Sequence, residues 1–292
     1  MSRTAAIVGQ GDGPNAAVGC QICGVGALAS PEPLGNRWSI RVCRLCESAT
    51  TWPVPTDEEL YDTNANNYPL DATLATYRTR RAEFRGRWDQ LLEFLGKPLR
   101  ILDVGCSVGV FLEHALNRGA TRAAGIELNE QLREWGATHL GLDIRESIQD
   151  FRGEVFDAIT LQDCLEHMRN PSDVLSGLGE ILAPHGLVFI QLPNRLSDMA
   201  RIAGTAWPWF SVPDHLIHLS PEGVRRLAAR SGYEVLRMRT CDAKVDLIET
   251  RFPRLWRYAR VLRRVPGFHR LWIRRGQQGG LIQAILVRRL PS

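Results

Sequence analysis

Lysine is almost missing from this 292-residue chain: Lys97 and Lys244 are the only two among 36 basic side chains. An arginine bias that strong reflects genome composition as much as surface design, so basic charge alone is a weak pointer to an anionic partner. Long apolar runs are missing too. Nothing approaches the ~18 uninterrupted apolar residues of a membrane span, and the opening MSRTAAIVGQGDGPN has no apolar core of a signal peptide. These absences predict a cytoplasmic protein. Acidic residues stop at Glu249, after which eleven arginines follow, whereas residues 1–250 hold 25 basic and 32 acidic side chains. A basic tail on an acidic body directs attention to the tail and away from the net charge of +4. With 44% hydrophobic and 23% charged residues the chain can bury a sizeable core, which excludes a disordered, collagen-like or disulfide-stapled protein.

Seven cysteines in a reducing compartment are not expected to pair as disulfides, so ordered spacing among them points to metal. Cys20 with Cys23 and Cys43 with Cys46 form two C-x-x-C pairs, separated by nineteen residues that include Gly24, Gly26, Pro31, Pro33 and Gly35. Each pair suits a tight knuckle, and two knuckles offer the four soft ligands of a tetrahedral structural zinc ion. A module this short needs such a staple to fold. The alternatives are a redox dithiol or two chance pairs of buried cysteines. Cys106, Cys164 and Cys241 are isolated and are assigned no metal. The expected organisation is a flexible leader at 1–18, a zinc-ribbon module at 19–55, a linker with lid helices at 56–98, and an α/β domain at 99–292. That domain carries insertions near 195–219 and a basic amphipathic segment at 251–276. Thr56 followed by Glu59 has capping-box spacing.

From Arg100 onward short apolar runs alternate with amphipathic stretches, the pattern of βαβ units and a parallel sheet covered on both faces. The run ILDVGCSVG, from Ile101 to Gly109, follows a strand and opens a helix, so its glycines let the backbone approach a ligand at a helix N-terminus. Gly105, Ser107 and Gly109 also satisfy the G-x-S-x-G of a nucleophile elbow, in which Ser107 attacks an ester. Against the elbow, the motif follows the first strand of the sheet, and no glycine pattern upstream supplies an oxyanion hole. Further on, AAGIE ends a second strand at Glu127, eighteen residues after Gly109 and placed to accept both hydroxyls of a ribose. A nucleoside ligand fits. The lack of a full G-x-G-x-x-G or of G-K-[ST] disfavours a pyrophosphate or triphosphate.

On these residues LDVGCSVGVFL, from Leu102 to Leu112, resembles the first motif of the class I S-adenosylmethionine-dependent methyltransferases. The resemblance covers about residues 56–240 and a last strand near 282–289. It implies a Rossmann-like α/β sheet preceded by the small zinc ribbon. It also implies Asp103 near the amino-acid end of the cofactor, with Gly105, Cys106, Ser107 and Gly109 lining it. Glu127 would meet the ribose with Leu128 beside it, Ser147 and Ile148 would border the adenine, and Asp163 is assigned to the cofactor as well. Ser107 replaces the usual middle glycine, which implies tighter packing at the methionine portion. The stretch CLEHMRNP, from Cys164 to Pro171, and WPWFSVPDHLIHLSPEGV, from Trp207 to Val224, resemble the zinc-bearing branch of sugar, polysaccharide and natural-product tailoring methyltransferases. The implied acceptor is a small molecule or glycolipid, sugar-containing or a natural product, methylated on a hydroxyl or on N or C.

Methyl transfer from a sulfonium needs in-line geometry first, and a base only where the acceptor carries a proton. His167, at the end of the fourth strand, is the first candidate, and His215 and His218 sit in an insertion that can reach the same crevice. The spacing of Asp163, Glu166 and His167 resembles the E-x-x-E-H of ubiquinone-pathway O-methyltransferases and small-RNA 3′-end methyltransferases. That resemblance implies a divalent cation orienting two hydroxyls, with His215 a fourth ligand and Asp163 of shorter reach than the usual Glu. The alternative is local bracing by hydrogen bonds. Tyr61, Tyr68 and Tyr77 are lid candidates or packing residues. Phe252, Leu255, Trp256, Ala259 and Leu262 share a helical face opposite Arg254, Arg257, Arg260 and Arg264, suiting an anionic membrane surface, nucleic acid or the sheet edge. An RNA methyltransferase is the rival enzyme, disfavoured because residues 20–50 hold only Arg37, Arg41 and Arg44 as basic side chains and N-P-P-Y is absent. A nucleoside-binding scaffold without turnover is the third reading.

Overall fold

β-Branched and aliphatic runs bounded by Gly, Asn and Pro fold here into strands, and the amphipathic stretches between them into helices. The computed structural model describes residues 19–60, 68–96, 99–241 and 279–289, with backbone only at 78–83, 85, 86 and 90. In chain order the strands and α-helices are β1 (Glu32–Leu34), β2 (Trp38–Val42), β3 (Ala49–Trp52), α1 (Leu70–Ala75), α2 (Tyr77–Leu95), β4 (Arg100–Val104), α3 (Val110–Asn117), β5 (Arg122–Ile126), α4 (Glu130–Leu140), β6 (Asp143–Arg145), β7 (Phe156–Gln162), α5 (Pro171–Leu178), β8 (Leu182–Pro193), α6 (Asp198–Ala203), β9 (Ile217–His218), α7 (Pro221–Arg230), β10 (Tyr233–Cys241) and β11 (Leu281–Arg288). The leader at 1–18, Tyr61 and the basic segment at 251–276 lie outside the described residues.

Seven strands form one sheet in the order β10-β11-β8-β7-β4-β5-β6. β4 to β8 run parallel, and β11 lies antiparallel between β8 and β10. This is the expected Rossmann-like α/β sheet. Alternation along the strands explains its two covered faces. Leu102, Val104, Ile159, Leu161, Val188 and Ile190 point to one apolar cluster, which includes Leu175 and Leu178 of α5 and Leu227 of α7. Ile101, Ala158, Leu187 and Phe189 point to the other, with Trp88 and Leu91 of α2 and Phe111 of α3. Each such side chain stabilises the fold by roughly 1.5–3 kcal/mol before entropy is counted. Helix ends are set locally. Asn129 caps α4 by accepting from the Gln131 and Leu132 amides at 3.1 and 3.3 Å, and the Ser220 hydroxyl caps α7 at Gly223. Thr56 and Glu59 make the expected reciprocal capping bonds, at 2.8 and 3.2 Å.

The chain enters the sheet at β4, winds outward to β6, and crosses back to β7 on the other side of β4. The crevice outside the carboxyl ends of β4 and β7 is therefore the switch point at which ligands bind in open α/β sheets. A second sheet, β1-β2-β3-β9, joins the cysteine-bearing segment to the insertion after β8, with Ala49 opposite His218 and Thr50 opposite Ile217. Cys20, Ile22, Cys23, Cys43 and Cys46 pack in the same apolar cluster as α7. Arg230 of that helix donates to the Gln21 and Ile22 carbonyls at 2.7 and 3.3 Å. Among the described residues no helix is long and apolar enough to cross a membrane.

Candidate active site and cysteine centre

The loop after β4 alternates left-handed residues: Gly105, Ser107 and Gly109 have φ of 74°, 54° and 84°. A Cβ on Gly109 would come within 2.3 Å of a Leu142 methyl, so glycine is required there. Ser107 accepts the same region at a cost of about 1–2 kcal/mol. What holds the loop is Glu127, which follows β5. Its carboxylate accepts the Ser107 amide and the Asn129 amide, each at 2.8 Å. Burial pushes the Glu127 carboxyl above its ordinary range while those two amides pull it down. Each carboxylate oxygen keeps further acceptor capacity, as ribose hydroxyls require. The Gly105 and Cys106 amides both donate to the Ile126 carbonyl, and the Cys106 side chain is buried against Gly125, the one β5 position without a side chain to obstruct it. Asp103 is only 4% exposed. It accepts from the Thr160 hydroxyl and, at 3.2 Å, from the Gln162 amide, whose oxygen takes Arg87 at 2.6 Å. Leu128 offers its carbonyl to Arg133 at 3.2 Å. Ser147 caps the turn Ile148–Phe151 against Asp150, its amide 2.9 Å and its hydroxyl 3.0 Å from that carboxylate.

On the acceptor side the expected trio of Asp163, Glu166 and His167 is regrouped. Asp163 sits at φ 54°, and its carboxylate takes the Gln191 amide at 3.2 and 3.0 Å, with Arg87 at 3.9 Å. Its place beside Glu166 and His167 goes to His215: the ligand atoms of these three lie within 4.8 Å of one another. Glu166 is 2% exposed, and its Oε2 has no hydrogen-bond partner among the described residues. Burial pushes its carboxyl up to about 8, opposed by His167 and reinforced by Asp163. His167 Nδ1 lies 3.1 Å from both the side-chain and backbone oxygens of Asp214, and His215 Nδ1 lies 2.9 Å from the Trp209 carbonyl. With Nδ1 donating, the neutral His215 ring carries its lone pair on Nε2, and His167 presents one at Nε2 only once its ring has given up a proton. Burial works against charge on both rings. At His215 it wins, lowering the imidazole to about 3, whereas the hydrogen bond to Asp214 and the charge of Glu166 raise His167 to about 9. The rings meet edge to face, with centroids 4.7 Å apart.

Tyr68 reaches this site from the lid side, donating to Asp214 Oδ2 at 3.2 Å and standing edge-on to the His167 ring. Tyr77 does not. Its hydroxyl is bound to Glu113 at 2.6 Å and its ring packs on Trp135. His218 lies under His215, neutral through burial, with Nε2 3.1 Å from the Thr51 hydroxyl. Asp214, Trp209, Gln191, Arg87 and Thr51 were not singled out by the sequence. The DH preceding Leu216 was the one available signal, a carboxylate next to a histidine already under suspicion.

The four expected cysteines do converge. Their sulfurs lie within 4.8 Å of one another, with Cys20–Cys46 and Cys23–Cys43 at 3.7 Å. That spacing is far beyond a disulfide bond of roughly 2 Å. Backbone amides of Gly26, Leu45 and Cys46 point at the Cys23 and Cys43 sulfurs from 3.2 to 3.5 Å, as knuckles do. A Cβ on Gly26 would fall 2.2 Å from the Cys43 sulfur. The Cys20–Cys46 contact raises the first thiol and lowers the second to about 5, with Ser48 also favouring the Cys46 thiolate.

Residues 77–238 match the family described as "Methyltransferase domain". The chain is similar to "Ubiquinone biosynthesis O-methyltransferase" of Dechloromonas aromatica, 35% identical over 162 residues that span 50% of this chain and 68% of that protein. The protein of the same name from Thiobacillus denitrificans is 30% identical over 167 residues, 51% of this chain and 70% of that one. For the Neisseria meningitidis serogroup C protein the covered share of the relative falls to 64%. The crystal structure of an S-adenosylmethionine-dependent methyltransferase from Archaeoglobus fulgidus superposes with a TM-score of 0.53 at 17% identity, covering 75% of this chain and 99% of that chain. This last likeness shows the fold.

Proposed function

The chain belongs to the methyltransferase-domain family and is an S-adenosylmethionine-dependent methyltransferase, and from that premise we propose three things. Its acceptor is a small sugar-containing or natural-product molecule methylated on a hydroxyl. Glu166, His167 and His215 hold a divalent cation beside that hydroxyl. The four cysteines hold a structural zinc ion.

One observation carries the second point: Glu166, His167 and His215 crowd their ligand atoms within 4.8 Å while Asp214 and Trp209 occupy the two Nδ1 atoms. A buried carboxylate oxygen without a partner is costly unless something charged meets it. Oriented Nε2 lone pairs beside such an oxygen are what a cation site needs. The names of the relatives, O-methyltransferases, support oxygen as the acceptor atom. Sulfur–sulfur distances of 3.7 Å match the roughly 3.8 Å edge of a tetrahedron with ~2.3 Å Zn–S bonds.

The residues then divide the work. Glu127 pins the glycine loop and presents acceptor oxygens to the ribose, and the loop backbone packs along the cofactor. In the reaction an acceptor oxygen forms its bond to the methyl carbon as the sulfonium C–S bond breaks in line. When bound, the divalent cation supplies Lewis acidity that lowers the pKa of a coordinated hydroxyl. Asp214 fixes His167 and receives Tyr68, closing the lid side of the crevice. His215, kept neutral by burial and by the neighbouring His167 charge, serves as a lone-pair donor and not as a proton store. Binding to RNA has little support, since Arg37 is paired with Glu59 and Arg41 stacks on Trp52.

The test is methyl transfer from labelled S-adenosylmethionine to a panel of sugar nucleotides, glycosides and catechol-type hydroxyls, with Mg2+ or Mn2+ and with chelator. The expected result is cation-dependent transfer to oxygen that Glu166→Gln abolishes and Asp163→Asn reduces far less. Transfer unaffected by chelation and by Glu166→Gln overturns the cation, and labelled product confined to RNA overturns the acceptor class.

A further inference from the structure

The acceptor-side trio is not completed by the large sheet alone. The Leu216 peptide is held from both sides: its amide donates to the Glu166 carbonyl at 2.8 Å, and its carbonyl accepts the Thr51 amide at 2.9 Å. One residue earlier the Thr51 hydroxyl donates to the His215 carbonyl at 2.6 Å. With its single hydrogen spent there, the same oxygen accepts from His218 Nε2 at 3.1 Å. Thr51 is 3% exposed. The tie continues along the chain, where the Ser220 amide donates to the Ser48 hydroxyl at 3.1 Å and the Ser220 hydroxyl to the Cys46 carbonyl. Residues 46–51, running on from the last cysteine of the second knuckle, thus bind residues 215–220 almost step for step.

We propose that Thr51 is a positioning residue for the methyltransferase site: from the cysteine module it sets the height of the His215 backbone, and so of the Nε2 that joins Glu166 and His167. This rests on the reading of His215 as part of the working site. The local chain holds one side of His215: its amide donates to the Ser211 carbonyl at 2.8 Å, and the Trp209 carbonyl fixes how its ring is rolled. β9 spans only Ile217–His218 and starts two residues after His215. The carbonyl side of His215 is held by Thr51, whose hydroxyl donates to that carbonyl and whose amide donates to the next one.

The experiment uses the full chain, with Thr51→Val to delete the hydroxyl at constant shape and Thr51→Ser to restore it. Three quantities are read: Mn2+ affinity by paramagnetic resonance, S-adenosylmethionine affinity by calorimetry, and the ring resonances of His215 and His218 by nitrogen-15 NMR. Thr51→Val is expected to weaken Mn2+ by about tenfold or more, the usual effect of losing a group behind a metal ligand, and to move both ring resonances. S-adenosylmethionine affinity should stay within about twofold, because the Gly105–Gly109 loop is tied to Glu127 and Ile126 and not to β3. Thr51→Ser should recover most of the lost Mn2+ affinity. A Thr51→Val protein that merely melts earlier, with Mn2+ affinity and ring resonances unchanged, overturns the proposal, and so does a Thr51→Ser no better than Thr51→Val. If wild type binds no Mn2+, the cation reading fails by itself. Thr51 is then judged on the ring resonances, where a shift rescued by serine upholds it and no shift overturns it. Should Thr51→Val not fold, Thr51→Ala carries the same readouts.

Discussion

The four cysteines and the Glu166–His167–His215 trio both crowd ligand atoms into a space of 4.8 Å, yet they are built in opposite ways. The cysteines come from two knuckles within one short stretch, all four are buried, and backbone amides of the same knuckles turn toward their sulfurs. The trio joins the turn after β7 to His215, 48 residues beyond His167, offers mixed oxygen and nitrogen atoms, and is held by Asp214, Trp209 and Thr51. On the proposed reading, the self-contained centre serves structure and the one assembled from distant segments serves the reaction.

Breaking the closed centre should have the largest effect. Cys43→Ser is expected to abolish zinc retention and to lower the melting temperature by roughly 10 °C or more, because metal affinity is folding energy in such modules. Elemental analysis and calorimetry check it, and a variant that keeps both zinc and melting temperature would erase the contrast drawn here. Next comes the cofactor loop. Glu127→Ala should weaken S-adenosylmethionine by about 1.5–3 kcal/mol, or some 10- to 150-fold, since a charged partner of two amides and of the ribose is lost. Calorimetric titration reads it directly. The open centre should respond in the opposite sense from the cysteines. Glu166→Gln replaces a buried carboxylate bearing an unpartnered oxygen, so in zinc-replete protein without added Mg2+ or Mn2+ the melting temperature should hold within about 2 °C of wild type or rise. A fall as large as that of Cys43→Ser would make the trio a structural brace.

The smallest effect belongs to neither centre and calibrates both. Hydrogen bonds and charge from Arg145 and Arg122 hold the Asp143 carboxyl below its ordinary range. A carboxyl whose pKa is depressed by folding contributes stability above its unfolded value and loses it as pH falls through the folded one. Wild type should therefore lose stability below about pH 4, and Asp143→Asn should show a shallower acid slope in denaturant titrations while leaving zinc and cofactor binding alone.

The same comparison explains what was legible in the sequence. Groups packed into one local stretch leave a spacing, so the convergence of Cys20, Cys23, Cys43 and Cys46 and the glycine turn at 105–109 were readable, as was the parallel sheet from its alternating runs. Spacing says nothing of a left-handed residue, so the bond that Asp163, at φ 54°, makes to the Gln191 amide was not readable. Tyr68 was readable only as a lid or packing residue, Asp214 only as the neighbour of a histidine, and Thr51 left no pattern at all. Their contacts span 146 and 164 residues, from Tyr68 to Asp214 and from Thr51 to His215, separations at which no sequence spacing survives.

Cys241 and Gly279, the residues bounding 242–278, stand side by side. The Gly279 amide meets the Thr240 hydroxyl at 3.3 Å, a side chain on Gly279 would strike the Cys241 backbone, and Asn194 clamps the Gly279 and Gly280 carbonyls next to the end of β8. β10 therefore ends, and β11 begins, at one point on the crevice end of the sheet, so the register of the two edge strands, Cys241 opposite Leu281, is fastened from the same end at which ligands bind.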